Sequence, residues 1–172
     1  MRVGITGHQE LGSHETKAWI RGQIHNALNK ENFACGVTSL AAGADQLFAC
    51  VVLELSRPIE VIVPCGRYEE AFTNPIATKL FRRLRGRATH CYTLPFCAPS
   101  DDAFYQAGKR VVETSDSLIA VWNGKPAAGL GGTADIVRYA IECRREVLHI
   151  NPATLTTRLL NANPASSTST LA

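Results

Sequence analysis

Six short apolar runs, "RVGITG", "ACGVTSL", "IEVIVP", "HCYTLP", "SLIAVW" and "EVLHI", recur along the chain, and all but the last lead into a stretch with helical spacing. Continuous runs rich in β-branched residues suit strands buried on both faces, which is the environment of a parallel sheet. The intervening stretches carry the matching helical signals. Ser13 stands as an N-cap before "HETKAWIRGQIHNALNK", which places Trp19, Ile20, Ile24, Ala27 and Leu28 on one face. "GADQLFACVVLELS" is apolar enough for deep burial, "YEEAFTNPIATKLFRRLRG" predicts one interrupted helix or two short ones around Pro75, and "DDAFYQAGKRVVETS" predicts another helix. Strand and helix in alternation predict an α/β, Rossmann-like doubly wound fold: a mostly parallel sheet of about six strands with helices on both faces. The pattern covers residues 1–152 as one domain, and 161–172, polar and aperiodic, read as a disordered tail.

In such sheets ligands lie beyond the carboxyl ends of the strands, where the strand order reverses. The residues that follow the strands are therefore the candidates. Gly7, His8 and Gln9 end the first strand; Ser39, Ala41, Gly43, Asp45 and Gln46 follow the second; Pro64 and Tyr68 follow the third. Trp122, Asn123 and Gly124 follow the fifth and lead through Gly129, Gly131 and Gly132 to Thr133 at a helix start. A bare backbone before a helix lets an anion approach N–H groups that have no partner within the helix.

The 172 residues carry 18 Lys and Arg against 15 Asp and Glu. A net charge of +3 is modest, which argues against a nucleic-acid partner unless cations cluster locally. "KLFRRLRGR" is the one such run, with Lys79, Arg82, Arg83, Arg85 and Arg87 around Leu80, Phe81 and Leu84, and it reads first as the solvated face of an amphipathic helix. Six cysteines without CxxC or zinc-finger spacing predict neither a metal site nor a disulfide framework. Cys65, after a strand and a proline, is the thiol expected near a pocket. No apolar run approaches the ~18 residues of a membrane span, and the expected location is the cytoplasm.

The blocks "GITGH", "SLAAGADQLFA", "VIVP…Y" and "SDSLIAVWNGKPAAGLGGTADIVRYA" resemble the SLOG superfamily, which unites DprA-type DNA-processing proteins, LOG phosphoribohydrolases and sensor domains for nucleotide-derived ligands. The resemblance spans residues 1–152. It implies a Rossmann-like domain that binds a nucleotide or nucleotide-derived small molecule, with Gly131, Gly132 and Thr133 at a phosphate, Gly43 and Ala44 opening a second such helix, and Ser39 at ribose or phosphate. His8 is expected to line the pocket, and Tyr68 or Trp122 to stack on a base. No cofactor is implied; a homo-oligomer is.

Two further readings follow from the resemblance. LOG enzymes carry "PGGxGTxxE", whose glutamate supports N-glycosidic cleavage; here the Gly-Thr is followed by Ala134, Asp135 and Ile136, so the glutamate position is Ile136. Hydrolysis would therefore fall to Asp135, one residue earlier and turned by about 100° around the helix. DprA-like DNA binding would rest on residues 79–87.

Overall fold

The computed structural model describes residues 1–30, 32–126 and 131–160. Among the described residues, seven strands form one sheet: β1 (Arg2–Gly7), β2 (Cys35–Thr38), β3 (Ile59–Val63), β4 (His90–Thr93), β5 (Ser117–Val121), β6 (Glu146–Asn151) and β7 (Thr156–Leu160). Their order is β4-β3-β2-β1-β5-β6-β7, parallel throughout except that β7 pairs antiparallel with β6. The α/β doubly wound architecture is therefore the one that the alternation predicts. β7 lies beyond residue 152 and was not foreseen: "TTRLL" is exposed over most of its length and has no continuous apolar run to mark it. Gly129 and the tail 161–172 lie outside the described residues.

Among the described residues, five α-helices connect the strands: α1 (His14–Lys30), α2 (Ala44–Glu54), α3 (Pro75–Arg85), α4 (Asp101–Thr114) and α5 (Thr133–Glu142). Local chemistry starts several of them. The Ser13 hydroxyl accepts from the Thr16 N–H at 3.2 Å, and Asn74 caps α3 by accepting from the Ile76 N–H at 2.9 Å. Pro75 thus opens α3 rather than interrupting a longer helix, and Tyr68–Ala71 forms a separate 3₁₀ turn.

Strand periodicity divides the core into two layers. Ile119 and Val121 pack with Ile20, Ile24, Phe48 and Phe81 of α1, α2 and α3, while Leu118 and Ala120 point the other way onto Val111, Val112, Val137 and Ala140 of α4 and α5. Helix α4 must cross the sheet, because β4 is an edge and the next strand, β5, lies beyond β1. That crossing puts the order reversal between β1 and β5 and brings the start of α4 over the carboxyl edge. At the opposite edge, Asp116 accepts from the Arg2 N–H at 2.6 Å and serves the strand ends.

Candidate functional site

A cavity of about 660 Å³ opens across the order reversal. Gly7, His8 and Gln9 of the β1 end line it, with Ser39, Ala41 and Asp45 from the β2 end, Pro64 and Tyr68 from the β3 end, Trp122 and Asn123 from the β5 end, and Gly131, Gly132 and Thr133 at the start of α5. These expected positions come from four strand ends that are far apart in sequence. Gly43, Gln46, Gly124 and Asp135 do not line it.

Hydrogen bonds stiffen the walls. The His8 carbonyl accepts from the Ala44 N–H at 3.1 Å, and its ring Nε2 accepts from the Asn123 N–H at 3.2 Å. An acceptor at Nε2 requires the neutral ring with its proton on Nδ1, so His8 links the two loops that flank the reversal. On the far side, Trp122 donates its indole N–H to the Lys125 carbonyl at 2.7 Å, and its ring lies 5.1 Å from that of buried His149, which bonds the Trp122 carbonyl at 2.8 Å. Trp122 thus reaches the cavity as an anchored wall.

Asp45 is buried at the first turn of α2, where one carboxylate oxygen accepts from the Thr38 hydroxyl and the Ser39 N–H, both at 3.0 Å. Burial pushes its carboxyl up to about 6, against the opposing effect of those hydrogen bonds. Tyr68 is buried too, and burial, reinforced by Asp45, raises its phenol far above the usual range. Its ring is hemmed by Phe72, Phe81 and Phe104 at centroid distances of 5.2, 5.5 and 6.2 Å. The stacking platform expected at Tyr68 is therefore corrected to a core aromatic whose neighbours occupy its surroundings.

Four more expectations change. Gly43 does not open a second anion site: a Cβ there would stand 2.2 Å from the Gln9 carbonyl oxygen, the Ala44 N–H is used by His8, and the Asp45 carboxylate sits beside the helix start. Gln46 donates to the Leu40 and Ala77 carbonyls at 3.3 and 2.9 Å, tying the β2 loop to α3 rather than reading a ligand. Gly124 belongs to the turn in which the Asn123 side chain accepts from the Lys125 N–H at 3.0 Å. The carboxylate of Asp135 accepts from the Gly131 N–H at 3.2 Å and pairs with Arg138 at 2.8 Å, while the next residue, Ile136, faces the cavity. The hydrolytic position is thus aliphatic, and the nearby carboxylate holds its own loop. Cys65 backs a separate cavity of about 220 Å³ with Arg67, Arg85 and Thr93; burial raises its thiol.

Sequence reasoning missed Phe72, Asp101, Phe104, Lys125 and Ile136, all in the cavity wall. A signal existed for two of them. Ser100 caps α4 by accepting from the Ala103 N–H at 3.1 Å, after the loop that follows β4, so Asp101 and Phe104 belong to the β4 end of the sheet.

A mostly parallel sheet reversing at β1/β5, with its cavity across the reversal, defines a Rossmann-like doubly wound α/β protein. No family model matches the chain, and no curated protein matches it in sequence. Solved structures match its fold. It is similar to DNA processing protein A from Streptococcus pneumoniae, at 17% identity and TM-score 0.60, over 86% of this chain and 49% of that one. It is similar to DNA processing protein A from Helicobacter pylori, described for its single-stranded DNA binding mode, at 20% identity and TM-score 0.63, over 87% and 64%. A structural-genomics target, TM1055, matches at 13% identity and TM-score 0.55, over 85% and 71%. The chain shares the fold of these DNA processing proteins and of TM1055. It spans about half the length of the pneumococcal protein.

The expectation that a nucleic-acid partner is unlikely is corrected by these neighbours, two DNA processing proteins of which one is described for its single-stranded DNA binding mode. Net charge averages over the surface, whereas Lys79, Arg83, Arg85 and Arg87 are all exposed on or just after α3, and Arg82 beside them donates to the Glu69 carboxylate at 2.9 Å. Among the described residues no helix is long and apolar enough to cross a membrane.

Proposed function

We propose that this chain binds a nucleotide or nucleotide-derived small molecule in the 660 Å³ cavity and holds it without cleaving it. The observation that carries the reading is the start of α5, where Gly132, Thr133 and Ala134 line the cavity at the β1/β5 reversal and present first-turn backbone to a phosphate. Retention without cleavage is supported by Ile136 at the hydrolytic position and by the engagement of Asp135 with Gly131 and Arg138. An N-glycosidase needs a carboxylate facing the sugar as positive charge develops. A cytoplasmic setting is part of the proposal, in keeping with six free thiols.

Calorimetric titration with ribose 5-phosphate and AMP tests it, alongside chromatography for free adenine. Both ligands are expected to bind the wild type, with no adenine released. Gly132→Val places a branched side chain at the phosphate approach and is expected to weaken both by tenfold or more, about 1.4 kcal/mol. Unchanged affinity in a folded variant would remove α5 from the site.

A second reading, single-stranded DNA binding, is favoured by the two DNA processing proteins and the exposed cations of α3. It predicts oligonucleotide affinity that falls as salt rises, by about 0.7 log units per log unit for each phosphate contact. Fluorescence anisotropy of a labelled oligonucleotide checks this; an affinity insensitive to salt and to Arg83→Glu excludes α3 as the surface.

A further inference from the structure

Beneath the carboxyl edge the cavity continues inward between β1 and the helices α4 and α5, where Thr6, Ala107, Gly108, Val111 and Ile136 line it. Gly4 fixes how the layers meet: a Cβ on it would stand 2.9 Å from the Val111 side chain, so Gly4 lies under that turn of α4. Helix α4 runs opposite to β1. Two residues further along the strand and one turn back along the helix are both steps of roughly 6 Å, which brings Thr6 under Ala107 and Gly108. α5 bounds the same arm, because a Cβ on Gly108 would be 2.5 Å from the Ile136 side chain.

Thr6 is the polar group of this arm. Alternation along β1 sends Ile5 into the layer of α1, α2 and α3 and Thr6 toward α4, in register with Ala120 of that second layer. Thr6 is 8% exposed, it faces the cavity, and its hydroxyl makes no hydrogen bond to a described residue. Thr38 on the next strand, by contrast, donates to Asp45. A buried hydroxyl ordinarily has a partner, so one that opens only on a cavity is free for a ligand. The register that sets Gly4 beside Val37 carries on to Ser39, a second cavity-lining hydroxyl one strand spacing away, roughly 5 Å.

The chemistry of this floor is narrow. A charged group would lie against Ala107, Val111 and Ile136 without a counter-ion; among the described residues the one cation of the cavity wall is Lys125, exposed in the loop after β5. An aliphatic group would leave the hydroxyls unpaired, and most of the donors and acceptors around a nucleobase would face alkyl walls. A sugar hydroxyl is neutral and both donates and accepts. The sugar is also within reach. Ile136 stands three residues beyond Thr133, a rise of about 4.5 Å along α5, and ribose is joined to a 5′-phosphate through a single methylene.

We infer that Thr6, with Ser39 beside it, reads the ribose hydroxyls of the ligand, so that the sugar lies on β1 beneath α4 while its phosphate meets the start of α5. The inference rests on the proposed nucleotide-binding reading and names its ligand class, ribonucleotides in preference to deoxy analogues. Thr6 lies inside β1 rather than after it, so the strand-end signal does not mark it.

Titration of the full chain with AMP and with its 2′-deoxy and 3′-deoxy analogues tests the assignment. The wild type is expected to bind AMP roughly tenfold more tightly than at least one analogue, the cost of a buried hydroxyl left without its partner. Thr6→Val keeps the shape and removes the hydroxyl, so AMP is expected to fall to the level of that analogue, whose own affinity stays unchanged. Thr6→Ser is expected to keep the preference, and Thr6→Ala to lose it should the valine variant fail to fold. Equal wild-type affinity for the three ligands, a preference that survives loss of the hydroxyl, or equal weakening of all three overturns the role of Thr6 while leaving nucleotide binding in place. Failure of the wild type to bind either AMP or ribose 5-phosphate overturns the nucleotide reading itself, and the sugar site with it.

Discussion

Gly43→Ala is expected to destabilise the fold by about 3–5 kcal/mol, a large part of the 5–15 kcal/mol typical of a domain. Gly43 has φ 80° and ψ −117°, a region that side-chain-bearing residues rarely enter. A Cβ there would lie 2.2 Å from the Gln9 oxygen and 2.5 Å from the His8 oxygen. Both are backbone atoms and cannot swing aside, so relief requires the β1–α1 loop to lift away from α2. That movement would also break the bond from the Ala44 N–H to the His8 carbonyl and displace His8 from the cavity. Urea unfolding followed by circular dichroism measures the loss as a midpoint lowered by roughly 2 M at an unchanged slope. Gly22→Ala is the control: nothing lies within 4 Å of a Cβ there, and in mid-helix alanine is expected to be neutral or stabilising by up to about 1 kcal/mol. Similar midpoints for the two variants would refute the packing role of Gly43.

The second large effect is a decline in stability as pH rises from about 4 to about 6. The Asp45 carboxyl moves from 3.8 in the ordinary state to about 6 in the fold, because burial disfavours its charge more than Thr38 and Ser39 favour it. Between those values the folded chain holds a proton that the unfolded chain has released, so deprotonation draws the equilibrium toward unfolding. The penalty is absent below pH 4, complete above pH 6, and amounts to about 3 kcal/mol. Exposed Glu15 and Glu69, both held low by hydrogen bonds, act in the opposite direction, so the test is a difference between two proteins. Asp45→Asn keeps an acceptor for Thr38 or Ser39 but cannot ionise. Its stability, subtracted from that of the wild type at each pH, is expected to trace the decline. Parallel profiles for the two proteins would mean that Asp45 does not titrate in this window.

Much of the site was legible because it depends on chain order. Strand ends are punctuated by glycine, proline and asparagine, and a parallel sheet sends all its carboxyl ends to one edge; His8, Ser39, Trp122 and Thr133 could therefore be gathered in advance. What each residue does there was less legible. A glycine that admits a phosphate and one that admits another backbone look alike in sequence, and Gly43 proved to be the second kind. Asp135 and Ile136 are neighbours, yet a turn of about 100° per residue directs one to Gly131 and Arg138 and the other into the cavity. Phe72 and Phe104 are separated by 32 positions and carry no motif; they share a wall because α4 crosses back over the strands.

The amino-acid sequence by itself determined the alternation of strand and helix, the edge of the sheet that bears the site, and the bare backbone at the start of α5, since each follows from local periodicity and residue type. Only the tertiary structure decided the order of the strands, the partners of Gly43, Gln46 and Asp135, and the aromatic part of the cavity wall. These depend on which side chains meet across long stretches of chain, and such meetings are set by packing rather than by spacing along the sequence.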